Sequence, residues 1–186
     1  MNSNIFPVTD HTSLFENPTI FSDVKDNSLF VLFKSGDQDT ILANLQLSLI
    51  KELVEEYLCD VNEIECTEYK LNFLQRCIVE EFDFDGETEE SKQFNAIIDY
   101  LVSKELDLNY QDIDGRTALH IAVSENQFEL GEFLVSKGAK TTIKDNDGHT
   151  AYDNLARFLP QYMSDDYRAR RQKMLNILKM AMESQS

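Results

Sequence analysis

Apolar side chains in this chain recur at three- and four-residue spacings, the mark of helices that bury one face. Leu29, Leu32 and Phe33 share a face in a short helix that stops at Ser35-Gly36-Asp37. Ile41, Leu42, Leu45, Leu49, Leu53 and Tyr57 predict a longer one over about 39–58. Leu71, Phe73, Leu74, Cys77 and Ile78 mark a third, and Ile97, Ile98 and Leu101 a fourth over about 94–104. Two further helices are expected at 117–124 and 128–137, the second ended by Gly138 in a left-handed cap. The pattern closes with a unit that starts at Asp145 and holds an inner helix to about 158, a loop holding Pro160, and a helix from Ser164 to about 182. In that last helix Leu175, Ile177 and Leu178 face inward.

Part of this pattern repeats. Asp112-Ile-Asp114-Gly115-Arg116-Thr117-Ala118-Leu119-His120 returns thirty-three residues later as Asp145-Asn-Asp147-Gly148-His149-Thr150-Ala151-Tyr152-Asp153. Leu101-Val102-Ser103-Lys104 keeps the same step and reappears as Leu134-Val135-Ser136-Lys137. A fixed period of this length predicts a solenoid of stacked units, each half-buried by its neighbours. Such folds mostly present surfaces and do not concentrate reactive groups in a pocket.

Asp112-x-x-Gly115-x-Thr117-Ala118-Leu119-His120-Ile-Ala122, followed by Leu134-Val135-x-x-Gly138-Ala139, resembles the ankyrin repeat. The resemblance implies an all-α solenoid of about four helix pairs with short β-hairpin fingers and divergent capping units. An arm at 1–27 precedes a repeat domain at 28–186, with units at about 28–65, 66–111, 112–144 and 145–183. In the last unit Asp153 replaces the histidine, and Asn154-Leu155-Ala156 reads as though one residue were inserted. The resemblance further implies that Thr117 starts the inner helix and pairs with His120, and that Leu119 and Ala122 pack between units. Family members usually bind partners with fingertips and inner helices. Carried over, that nominates Ile113, Asp114, Arg116, Ser124, Glu125, Lys144, Asn146, Asp147 and His149.

Charge changes the picture in the other half. The net charge is −17, and residues 1–110 hold 23 acidic against 7 basic side chains, whereas 111–186 hold 11 against 10. The second unit carries an acidic insertion at about 80–93, a dozen residues beyond the regular unit. It includes Glu80, Glu81, Asp83, Asp85, Glu87, Glu89 and Glu90. Long connections of this kind are often functional. Such a field repels phosphates and membrane surfaces and speeds encounter with basic partners, so a basic protein is expected as partner, with no nucleic acid and no membrane. Arg168, Arg170, Arg171 and Lys173 read as a solvated helix face paired with Asp165 and Asp166.

Little else suggests chemistry. Glu81-x-Asp83-x-Asp85-Gly86-x-x-Glu89 echoes a calcium loop, but Lys92 stands where the bidentate glutamate belongs, and its charge opposes an ion. Cys59, Cys66 and Cys77 lack metal spacing and read as reduced structural thiols. There is no phosphate-binding loop or nucleophile elbow, so no catalytic residue, metal or cofactor is expected. No membrane span and no signal peptide are expected, which predicts a cytoplasmic chain, monomeric outside its complex. The function expected is a protein-binding module that neutralises a basic partner, as a bacterial immunity protein blocks a cognate toxin. The alternative is an adaptor or secreted effector engaging a host or regulatory protein through its fingers. An enzyme with an unrecognised site is the least favoured class.

Overall fold

The computed structural model describes residues 29–30, 47–55, 58–65, 67–79, 88–157 and 164–185. Seven helices lie in these segments: α1 (Leu47–Glu55), α2 (Phe73–Val79), α3 (Glu89–Ser103), α4 (Ala118–Ser124), α5 (Phe128–Ser136), α6 (Ala151–Arg157) and α7 (Asp165–Ser184). They stack in two layers. The inner row is α2, α4 and α6, and the outer row contains the packed pairs α1–α3 and α5–α7. Inner and outer helices pack within the units as well, α4 on α5 and α6 on α7.

The composition of α4 follows from its place in this stack. Every residue from Ala118 to Val123 is buried. Ala118, Ile121 and Ala122 join a core shared with units one and two, whereas Leu119 and Val123 join a second core with Phe128, Leu155, Met174 and Leu178. A helix covered on both sides has no polar stripe to offer, so its run is apolar apart from His120. Gly131 sits at mid-helix in α5, where a Cβ would come 2.9 Å from Met174 Cε of α7. The glycine permits that approach, at an intrinsic cost to the helix of about 1 kcal/mol.

Outer helices are tied edge to edge by ion pairs in which the acid comes from one unit and the base from the next. Glu55 meets Lys104 at 3.3 Å, Asp99 meets Lys137 at 2.6 Å, and Glu132 meets Lys173 at 2.7 Å. Such solvent-exposed pairs join neighbouring units but add little to stability. Tyr100 donates its hydroxyl hydrogen to Glu55 and has Lys51 and Lys104 over its ring. Burial, reinforced by that carboxylate, pushes its pKa up to about 12.

Three expectations need correction. The outer helix of unit two starts at Glu89 and not near Phe94, because Thr88 caps it and accepts a hydrogen bond from the Ser91 amide at 3.1 Å. The end of the predicted insertion is therefore the first turn of a helix. The last unit carries no inserted residue: Leu155 lies thirty-three residues beyond Ala122 and is buried as Ala122 is. Arg171 is buried and not solvated, its guanidinium donating to the Leu155 carbonyl, while Arg168 and Arg170 do pair with Asp165 and Asp166. Among the described residues no helix is long and apolar enough to cross a membrane.

Candidate partner-binding surface

Each finger is a tight turn organised by one aspartate. In unit three, Asp112 Oδ1 accepts the amides of Asp114 at 3.0 Å and Arg116 at 2.8 Å, and its carbonyl accepts the Gly115 amide at 3.0 Å. Arg116 returns to the same carboxylate through Nε and Nη2. Unit four repeats the arrangement around Asp145, whose Oδ1 takes the amides of Asp147 and His149. Burial alone would raise the Asp145 carboxyl, but the Asn154 amide and the two backbone N–H groups outweigh it and hold its pKa below the ordinary value. Because the carboxylate captures amides that a β ladder would use, the fingers of units three and four are turns and not the expected β-hairpins. Among the described residues the one isolated β-bridge pairs Ile64 with Asn72.

Neighbouring fingers are bonded to each other. The Ile113 amide donates to the Tyr69 carbonyl at 3.4 Å. Asn146 donates its own amide to the Asp114 carbonyl at 3.0 Å and its side-chain Nδ2 to the Ile113 carbonyl at 2.9 Å. Gly115 makes this possible. Its φ of +76° is one that side chains resist, and a Cβ there would lie 2.5 Å from Asn146 Oδ1.

Behind each finger a reciprocal cap starts the inner helix. The Thr117 hydroxyl lies 2.8 Å from His120 Nδ1, which also accepts the Thr117 amide at 3.2 Å. Nδ1 is thus the acceptor, which leaves the proton on Nε2 to reach the His149 carbonyl at 3.2 Å. Burial of the ring pulls its pKa below the ordinary 6.5, against the raising influence of the His149 carbonyl, Asp145 and Asp112. The cap is a structural pair, as the family resemblance implies. In unit four the Thr150 amide and hydroxyl hold the Asp153 carboxylate, whose pKa is lowered by those bonds. Unit two builds the same cap from amides: Asn72 Oδ1 accepts the Gln75 amide at 2.9 Å, and Gln75 Oε1 accepts the Asn72 amide at 3.0 Å. Sequence reading missed this cap, although Asn-x-x-Gln at the start of an apolar run was its visible signal.

The nominated residues divide by environment. Ile113 is 53% exposed, and Asp114, Ser124, Glu125, Lys144, Asn146 and Asp147 are also exposed. Arg116 is half-buried and bound to Asp112 and Asp114, so its charge is largely matched within the finger. His149 is half-buried, with Arg157 Nη1 2.6 Å from its Nε2. Glu80, Glu81, Asp83, Asp85 and Glu87 lie outside the described residues, as does the side chain of Glu90. Glu89 is exposed and pairs with Lys92 at 3.1 Å. Tyr69, 52% exposed on the finger of unit two, went unrecognised because that finger lacks the glycine signature. Cys59 and Cys77 are free and buried; desolvation, with help from Glu63, pushes the Cys59 thiol to about 11, which leaves it unreactive.

Comparison with known proteins converges on the same architecture. The profile described as ankyrin repeats (3 copies) matches residues 41–145. Alpha-latroinsectotoxin-Lt1a of Latrodectus tredecimguttatus is 37% identical over 62 residues, which cover 33% of this chain and 4% of the toxin. One ankyrin repeat protein of Rickettsia bellii is 36% identical over 62 residues, covering 33% of this chain and 64% of that protein. A second from the same organism is 28% identical over 75 residues, covering 40% of this chain and 21% of that protein. The chain thus spans less than two thirds of the length of each relative.

Proposed function

The chain belongs to the ankyrin-repeat family, a fold that serves as a protein–protein interaction module, and from that premise we propose that it captures and neutralises a basic partner protein. In its sharper form the proposal makes it an immunity protein whose acidic half occupies a cationic cleft, such as the active site of a toxin. One observation carries it: the net charge of −17 sits almost wholly in residues 1–110, with 23 acidic and 7 basic side chains. Buried charge pairs across such an interface can contribute strongly, while rim pairs mainly raise the association rate. The family's usual role supports binding and not catalysis.

The test is co-expression with the products of neighbouring reading frames, followed by salt titration of any complex formed. Changing Glu81, Asp83, Asp85, Glu87 and Glu89 to amides should weaken the complex and flatten its salt dependence. Unchanged affinity and salt dependence would sink the acidic-mimic reading.

A second reading, an adaptor or secreted effector that binds through its fingers, is favoured by the bonded finger row with Ile113, Asp114, Asn146 and Asp147 exposed. It expects binding to survive the amide changes and to fall when Ile113, Arg116 and Lys144 are altered.

A further inference from the structure

We draw no further inference here: the strongest candidate, the open groove between α6 and α7 lined by Tyr152, Lys179, Met182 and Glu183, carries nothing because nothing in the structure shows what covers it.

Discussion

In unit three a hydroxyl and an imidazole close the first turn of α4, and a glycine turns the finger ahead of it; in unit two the same places hold other side chains. Asn72 and Gln75 stand for Thr117 and His120, and Lys70 with φ of 51° stands for Gly115 with φ of 76°. The outer-helix caps differ likewise: Glu105 takes a φ of 67° where Gly138 takes 95°. Both caps are closed by matching bonds, Leu106 to the Leu101 carbonyl and Ala139 to the Leu134 carbonyl, each at 3.0 Å. The backbone geometry is therefore held by the stack, and local sequence only sets how much strain it carries. A left-handed residue with a side chain costs about 1–2 kcal/mol relative to glycine, a strain that packing can offset. Divergence at these positions marks relaxed local preference and not a change of fold.

The comparison breaks hardest at Gly115. Alanine there meets both the positive φ and the Asn146 backbone 2.7 Å away, so Gly115→Ala should lose about 3 kcal/mol in urea denaturation. Gly148→Ala has the same φ problem with open space around it and should lose only about 1 kcal/mol. Equal losses would mean that the bond between fingers contributes nothing.

Next is the cap. His120→Ala removes a buried ring that serves the Thr117 amide and the His149 carbonyl, and should lose about 2–3 kcal/mol. Gln75→Ala should lose a similar amount, since its amide also donates to the Arg116 carbonyl at 2.8 Å. A much smaller loss at Gln75 would show that the two caps are not equivalent.

The caps should also separate by pH. His120 has its pKa lowered by folding, so its stabilisation is complete above the ordinary 6.5 and is lost as pH falls through the lowered native value. Asp153 is lowered from 3.8, so the contribution of its cap persists to more acid pH and is lost as pH falls through its own native value. Melting followed from pH 7 downwards should therefore show a first decline that His120→Asn removes. A decline unchanged in that variant would assign it elsewhere.

The smallest effect is a gain. Glu105→Gly relieves a left-handed side chain whose carbonyl contact to Asn62 is made by backbone alone, and should stabilise by up to about 1 kcal/mol. A loss would mean that the Glu105 side chain has a role the comparison misses.

The regular unit was legible because each of its signature residues answers to a local requirement: Gly115 to a turn, Thr117 to a cap, Gly138 to a helix end. Helices α2 and α4 to α7 follow their apolar spacing for the same reason. The candidate surface was half legible. Ile113, Asp114 and Asp147 were found through the motif, but Tyr69 was not, since its finger has no glycine and matches unit three only once the chains are stacked. The start of α3 at Glu89 was hidden by apolar spacing that begins at Phe94, because a first turn held by its Thr88 cap needs no buried side chain at every step.

By itself the sequence determined the helical period, the solenoid class and the lopsided charge, since these follow from spacing and composition along one chain. Tertiary structure decided which amides the finger aspartates capture, which arginine is buried, and which apolar side chains stay in water. Those outcomes depend on atoms brought together from different units: Asn146 reaching Ile113, Arg171 reaching Leu155, Ile113 reaching Tyr69. Contacts between units arise only when one repeat lies on the next, and no local pattern encodes them.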